Sequence, residues 1–468
     1  MNELRESTTP RETNRSPKKP PKTPAKKPQY FGTDGMRGKF GRAPLDEPTV
    51  RRLGAALGRR LIQDDPAASV VLGGDTREST PILCSWLVGE LQAEGVTVTY
   101  LGTMTTPGVT ATVRRLDATA GIAVSASHNP HPDNGIKLID GDGFKWEPGA
   151  EAELEALMES IEPDGATHLP EVDQASVEAY ITSLSASLDG RRLDGMRIVL
   201  DAGFGAASPF AETLFSGLGA DVTVLHDAPT GRNINLDSGS THPEALCEHV
   251  ARHGADLGVA FDGDADRAVL VDDQGELRDG DAILFLWALD LKARGALPGD
   301  ALVATSMSNL GLQVALAPHG IGLERCGVGD REVVATMRSG GFVLGGEQSG
   351  HIVHLDLSTT GDGLLTALQL ADMVARKGRP LSELLAEFRR FPQLLRNLPV
   401  RHKPALDSLP DVMAVSREVE AELGDQGRLV LRYSGTEDLV RIMIEGPDRD
   451  TIDGLADRLE VVLTAALG

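Results

Sequence analysis

The sequence has few cysteines, few aromatic residues and no long hydrophobic run. The three cysteines, Cys84, Cys247 and Cys326, are odd in number and far apart. They predict neither a disulfide framework nor a zinc site, and such usage is typical of a reducing cytoplasm. No stretch approaches the ~18 consecutive apolar residues of a membrane span, and the N-terminus lacks the apolar core of a secretory signal. We therefore expect a cytoplasmic protein that does not bind membranes.

Nucleotide-binding signatures are also missing. The Gly-x-Gly runs, such as GFG at 203–205, are not followed by a full dinucleotide fingerprint, and the sequence has no G-x-x-x-x-G-K-[ST]. Neither NAD binding nor P-loop nucleotide binding is indicated.

Positive charge is scarce except at the N-terminus. The net charge is −23, yet residues 1–28 carry eight Lys or Arg against three Glu, together with six prolines. The rest of the chain is strongly acidic, which argues against nucleic-acid binding by residues outside the N-terminal tail. The tail has too little apolar surface to offset its ordering entropy, so we expect residues 1–28 to be disordered. A basic arm for an anionic partner is the alternative, and the sequence does not identify that partner.

The 468 residues otherwise have the composition of a soluble globular protein, 41% hydrophobic and 25% charged. Strand patterns alternate with helical patterns three times, which predicts three consecutive α/β domains with mixed, largely parallel sheets. The C-terminal stretch reads as two strands around a polar turn and then a helix, which predicts an α+β domain. The expected domains span 29–170, 171–276, 277–392 and 396–468.

The stretch SASHNPHPDNGIK (125–137) places Ser127, His128 and Lys137 in a turn-rich loop between two apolar runs. Loops on a rigid scaffold are where chemistry is usually located. A serine can carry a transferred group, while a histidine and a lysine can manage protons and charge. The sequence therefore predicts a nucleophile loop with Ser127 at its centre.

A second loop, DGDADR (262–267), alternates Asp262, Asp264 and Asp266 between apolar strands. Three carboxylates at this spacing repel one another, and a hard divalent cation relieves the repulsion. An EF-hand would need Gly and Glu where Arg267 and Asp273 stand. The pattern predicts a magnesium site, and a solvated acidic turn is the alternative.

Three further loops have residues suited to a phosphorylated sugar. GGEQSGH (345–351) offers short polar side chains in a glycine-rich frame that lets the backbone approach a ligand. LRYSGTEDLVR (431–441) offers guanidinium and hydroxyl donors in a tight turn, as a phosphate monoester requires. YFGTDGMRG (30–38) is glycine-rich and contains one arginine. The candidate binding residues are Arg37, Glu347, Ser349, His351, Arg432, Ser434, Gly435, Thr436 and Arg441.

These five motifs together resemble the α-D-phosphohexomutase superfamily, and within it most closely the bacterial phosphoglucosamine mutases. The resemblance covers about residues 29–468, with the motifs in family order. The turn RYSGTEDL departs from the family pattern at Tyr433 and Asp438. Asp438 would add negative charge near the phosphate site, so we expect its side chain to face solvent.

The resemblance implies four domains around a central cleft. It further implies that Ser127 is a phosphoserine in the active enzyme and that it binds one Mg²⁺ together with Asp262, Asp264 and Asp266. A sugar 1,6-bisphosphate would be the intermediate and activator, and a phosphorylated amino sugar the substrate. Arg37, His128, Lys137 and Arg267 would assist catalysis, while the 345–351 and 432–437 loops would hold sugar hydroxyls and the unreactive phosphate. A homodimer is compatible with the sequence.

Three other functions remain open at this point. A phosphomannomutase or phosphoglucomutase would use the same chemistry on a different sugar. An aspartyl-phosphate phosphatase would use Asp262 as its nucleophile and leave Ser127 idle. A sugar-phosphate-binding scaffold would need neither a nucleophile nor metal ligands.

Overall fold

The computed structural model describes residues 29–32, 34–434 and 438–468. The predicted disordered tail at 1–28 lies outside these ranges, as do Thr33 and residues 435–437. Over the described ranges, the strands form four sheets. None of the described helices combines the length and the apolar character that crossing a bilayer requires.

The first domain has a six-stranded sheet between helices. Its elements are β1 (Phe31–Gly32), β2 (Gly35–Lys39), α1 (Glu47–Asp64), β3 (Ser69–Gly74), α2 (Thr80–Ala93), β4 (Thr97–Thr103), α3 (Thr106–Leu116), β5 (Ala120–Val124), β6 (Asp133–Asp140) and α4 (Pro148–Met158). The strand order is β1-β2-β6-β5-β3-β4. Strands β5, β3 and β4 run parallel, whereas β6 is antiparallel to β5.

The second and third domains repeat this plan with smaller sheets, in the orders β11-β10-β9-β7-β8 and β13-β12-β14-β15. The second comprises α5 (Gln174–Ala186), β7 (Arg197–Asp201), α6 (Ala211–Gly217), β8 (Asp221–Leu225), α7 (Glu244–His253), β9 (Leu257–Phe261), β10 (Ala268–Val271) and β11 (Leu277–Arg278). The third comprises α8 (Gly280–Ala293), β12 (Ala301–Thr305), α9 (Leu310–Leu316), β13 (Gly322–Cys326), α10 (Asp330–Gly340), β14 (Leu344–Gly346), β15 (Ile352–His354), α11 (Gly363–Lys377) and α12 (Leu381–Leu384).

The fourth domain is an antiparallel three-stranded sheet, in the order β16-β18-β17, with two helices. Its elements are β16 (Gln393–Pro399), α13 (Pro410–Leu423), β17 (Arg428–Tyr433), β18 (Leu439–Glu445) and α14 (Arg449–Leu467). The predicted fold class, three α/β domains and a C-terminal α+β domain, is therefore confirmed.

The apolar cores show how the domains are joined. One continuous core contains Val71, Leu200 and Leu302, so it crosses the first three domains. The fourth domain has a core of its own, formed by residues between Leu394 and Leu467. The first three domains thus form a single packed frame for the loops that they carry.

Four of the five predicted site loops lie one in each sheet. Each connects two antiparallel neighbours: β5 to β6, β9 to β10, β14 to β15, and β17 to β18. The sheets are thus less parallel than the sequence suggests, and the antiparallel pairs are those that carry the candidate chemistry.

Candidate active site

Ser127 lies at the bend between β5 and β6 with an unusual backbone conformation. Its φ is 52°, in the left-handed region that non-glycine residues seldom adopt. The side chain is buried, and Oγ donates a hydrogen bond of 2.6 Å to Oδ2 of Asp262. His128 Nδ1 lies 3.3 Å from the same Oγ. The serine predicted as nucleophile thus contacts the predicted metal loop directly.

The loop between β9 and β10 gathers Asp262, Asp264 and Asp266 into one buried cluster. One carboxylate oxygen of each lies within 4.8 Å of the others, and the arrangement can hold a metal ion. Oδ1 of Asp264 and Oδ1 of Asp266 are buried and have no hydrogen-bond partner among the described residues. Buried carboxylate oxygens that lack donors are the ligands that a hard divalent cation prefers, so these residues fit the predicted magnesium.

The pKa values of Asp262 and Asp264 are shifted in opposite directions. Burial, together with repulsion from Asp266 and Asp264, raises the pKa of Asp262 well above its usual value. Burial would also raise the pKa of Asp264, but the neighbouring Lys137 ammonium outweighs it and lowers that pKa. The cluster therefore has an excess of negative charge that Lys137 offsets only in part.

Lys137, on β6, is buried against the metal loop. Its Nζ lies 2.7 Å from Oδ2 of Asp264 and 3.3 Å from Oδ2 of Asp266. A third carboxylate, that of Asp34, lies 3.6 Å away. Burial would lower the pKa of Lys137, but the carboxylates, Asp264 foremost, raise it well above its usual value. Lys137 is therefore a cation held against the carboxylates of the metal loop.

Sequence reasoning missed a chain of ion pairs that extends from Lys137 to the third domain. Asp34 pairs with Arg37 and with Lys145, and Lys145 also pairs with Asp330 at the start of α10. Asp34 belongs to the FGTDGMRG motif, so its place in that motif could have marked its carboxylate as a candidate site residue. Lys145 and Asp330 are 185 residues apart, and no local pattern relates them.

Arg267 and His128 form a second polar group beside Ser127. Arg267 Nη1 lies 3.3 Å from His128 Nδ1, and the Arg267 backbone N–H donates to Oδ1 of Asp262 at 3.1 Å. Burial, followed by the charges of Arg267 and Arg37, lowers the pKa of His128. The imidazole is therefore mostly neutral near pH 7 and is able to accept a proton.

The loop between β14 and β15 places its three predicted residues in different surroundings. Glu347 is half-buried and accepts a 3.3 Å hydrogen bond from the Gly329 N–H, while Ser349 is exposed. The imidazole of His351 is buried, and its Nε2 accepts a hydrogen bond from the Gly361 N–H at 3.2 Å. Glu347 and Ser349 are thus the more accessible members.

Two arginines lie directly opposite each other on the strands that flank the turn between β17 and β18. Arg432 on β17 is opposite Arg441 on β18, and Arg441 Nη2 donates to Oγ of the buried Ser434 at 3.3 Å. Gly435 and Thr436, also predicted to bind phosphate, lie outside the described residues. Asp438 is exposed and pairs with Nζ of Lys403 at 3.3 Å, as expected for a side chain that faces solvent.

Comparisons with known proteins identify the family to which this arrangement belongs. The models of the phosphoglucomutase/phosphomannomutase domains match in order: alpha/beta/alpha domain I over residues 28–164, domain II over 178–275, domain III over 279–391 and the C-terminal domain over 395–461. The chain belongs to the phosphohexomutase family.

Several relatives of this phosphohexomutase are phosphoglucosamine mutases. It is 46% identical over 449 residues to a phosphoglucosamine mutase of Symbiobacterium thermophilum, covering 94% of this chain and 100% of the relative. With a phosphoglucosamine mutase of Bacillus licheniformis, the identity is 43% over 450 residues, covering 94% and 99%.

Solved phosphohexomutases share the fold at lower identity. A phosphoglucomutase/phosphomannomutase family protein from Burkholderia thailandensis superposes with a TM-score of 0.76 at 24% identity, covering 93% of this chain and 97% of that one. An Aspergillus fumigatus N-acetylphosphoglucosamine mutase, solved with GlcNAc-6P and magnesium, has a TM-score of 0.61 at 18% identity, covering 95% and 97%. These likenesses show a common four-domain architecture.

Proposed function

We propose that this phosphohexomutase is a phosphoglucosamine mutase, which interconverts glucosamine 6-phosphate and glucosamine 1-phosphate for UDP-N-acetylglucosamine synthesis. The observation that carries the proposal is the Ser127 hydroxyl, 2.6 Å from Asp262 in a cluster of three buried carboxylates. Identities of 42–46% to phosphoglucosamine mutases support this substrate. We place the reaction in the cytoplasm, in keeping with the three free cysteines.

In this proposal Ser127 carries the phosphoryl group. The Oγ–P bond of phosphorylated Ser127 breaks as a bond forms between phosphorus and O1 of glucosamine 6-phosphate, and the proton of the O1 hydroxyl passes through a base to the freed Ser127 oxygen, which gives glucosamine 1,6-bisphosphate. The bisphosphate reorients within the cleft, and its 6-phosphoryl group moves to Ser127. Glucosamine 1-phosphate leaves, and the phosphoserine is restored, so atoms and charge balance over the cycle.

Asp262, Asp264, Asp266 and the Ser127 phosphoryl group would hold one Mg²⁺. When bound, the cation neutralises charge on the phosphoryl group. Lys137, Arg37 and Arg267 add positive charge around the transferred group, which is how phosphoryl transfer is chiefly catalysed. His128, whose Nδ1 lies 3.3 Å from Ser127 Oγ, is placed to accept the proton of the attacking sugar hydroxyl.

The remaining loops would orient the sugar phosphate. Glu347 and Ser349 would bind sugar hydroxyls, and the 432–437 turn would bind the phosphate that does not react. Arg432 and Arg441 lie directly opposite each other on β17 and β18, and two guanidinium groups at one place are suited to bind a phosphate.

The test is a comparison of glucosamine, glucose and mannose 6-phosphates as substrates, with Mg²⁺ and a trace of sugar bisphosphate. We expect the kcat/KM for glucosamine 6-phosphate to exceed the other two by at least about tenfold, since a site that pairs a substrate amine discriminates strongly against analogues that lack it. A preference for glucose or mannose phosphate would retain the mechanism and overturn the substrate.

A further inference from the structure

A buried arginine, Arg77, forms hydrogen bonds to the backbone of the Ser127 loop. Arg77, in the turn between β3 and α2, has its side chain fully buried. It donates to Asp75 Oδ2 through Nε at 2.8 Å, and its two terminal nitrogens donate to four backbone carbonyls of the serine loop. These bonds reach Ser127 at 3.0 Å, Asn129 at 2.8 Å, Pro130 at 2.6 Å and Asp133 at 2.9 Å.

This set uses the full donor capacity of a guanidinium. Arginine has five N–H donors in a fixed planar fork, and Arg77 makes five hydrogen bonds. A lysine offers three donors from a single point, so it cannot bind the four carbonyls and Asp75 together. The hydrogen bond from Arg77 to Ser127 is to the backbone carbonyl, so its effect on the hydroxyl acts through the backbone.

Asp75 links the same arginine to the other side of Ser127. Oδ2 of Asp75 accepts a hydrogen bond from Ser125 Oγ at 2.6 Å, and Ser125 Oγ accepts the Ser127 N–H at 2.9 Å. The N–H and the C=O of Ser127 are therefore both anchored to the Asp75–Arg77 pair. We call Asp75, Arg77 and Ser125 the serine-loop frame.

The second domain adds a further anchor at the same place. Asn235 Nδ2 donates to the carbonyls of Ser127 and Asn129, at 2.9 and 3.0 Å. The metal loop passes so close that a Cβ on Gly263 would lie 2.5 Å from the Ser127 carbonyl oxygen. The backbone of Ser127 is thus enclosed by two domains.

We propose that Arg77 is a positioning residue for phosphoryl transfer. Through the serine-loop frame it holds Ser127 in the left-handed conformation and so directs Oγ at Asp262. Such a conformation persists in a non-glycine residue only where the surroundings determine it. The inference rests on the proposed role of Ser127 as phosphoryl carrier.

The variants Arg77→Lys and Ser125→Ala test the frame. Ser125→Ala removes one hydroxyl and leaves Asp75 bound to Arg77, so this variant should fold even where Arg77→Lys does not. We expect kcat to fall about tenfold or more in each, because small misplacement of a reacting group is costly. The KM for glucosamine 6-phosphate should stay within about twofold of the wild-type value, since no substrate-binding side chain is altered.

The decisive readout is the single-turnover rate at which phosphorylated Ser127 loses its phosphoryl group to saturating substrate. It should fall as much as kcat does. Ser85→Ala is the matched control, because its buried hydroxyl donates only to the Ile82 carbonyl on α2, and its rate should equal that of the wild type.

Two results would overturn this inference and leave the proposed function intact. One is a transfer rate within twofold of the wild type in folded Ser125→Ala and Arg77→Lys proteins. The other is a loss of rate accompanied by a rise in KM of the same size, as a general loosening of the fold would cause. A wild-type enzyme that takes no phosphoryl group at Ser127 would instead overturn the proposed function, and this inference with it.

Discussion

Replacing Ser127 by alanine is expected to abolish mutase turnover, with kcat reduced by at least about 10³-fold, because the group that carries the phosphoryl is removed. The substitution deletes one buried hydroxyl and its hydrogen bond to Asp262. That costs about 1–3 kcal/mol of unfolding free energy, less than the ~5–15 kcal/mol by which a typical protein is stable, so the variant should fold. The measurements are the rate of glucosamine 1-phosphate formation and the thermal unfolding midpoint.

Ser183→Ala serves as the control for this variant. Its hydroxyl donates to the Tyr180 carbonyl on α5 and touches none of the candidate site residues, so full turnover is expected. Retention of more than about a tenth of wild-type turnover in Ser127→Ala, with sugar bisphosphate present, would contradict the assignment of Ser127.

Asp264→Asn is expected to impair metal binding more than folding. One of the three carboxylates loses its charge, and cation affinity depends on the number of charged ligands. Lys137 keeps Asp266 and Asp34 as partners, so it is not left as an unpaired buried charge. The Mg²⁺ concentration for half-maximal rate should rise by at least about tenfold, and EDTA should abolish wild-type turnover until Mg²⁺ is restored.

The matched control is Asp256→Asn in the same domain. Asp256 is partly exposed and pairs with Arg197 at the start of β7, so its loss should leave the Mg²⁺ dependence unchanged. An unchanged Mg²⁺ dependence in Asp264→Asn, or wild-type turnover in EDTA, would show that the carboxylate cluster does not bind the required metal.

The parts of the fold that sequence reasoning predicted are those encoded locally. The runs around Ser127 and around Asp262 are short strands that meet at a polar loop, so a contiguous pattern reveals both the strands and the loop. The strand directions were harder to read. Antiparallel β5–β6 and β9–β10 pairs arise from register and packing between segments, which alternation of apolar residues does not report.

The parts that escaped prediction depend on distant segments or on backbone conformation. Asp330 reaches Lys145 only because α10 of the third domain packs against the first domain. Arg77 sits in a stretch, GGDTRE, that reads as an ordinary polar loop after a strand. The positive φ of Ser127 gives no sequence signal either, since no glycine or asparagine marks it.

A chase of the phosphoryl group from the enzyme tests the central claim most directly. Wild-type protein, radiolabelled with sugar bisphosphate and freed of excess label, is mixed with saturating glucosamine 6-phosphate and Mg²⁺ and quenched over a time course. We expect the label to begin on Ser127 and to move to glucosamine phosphates at a rate no slower than kcat. Label found on Asp262, released as inorganic phosphate, or transferred more slowly than kcat would contradict it.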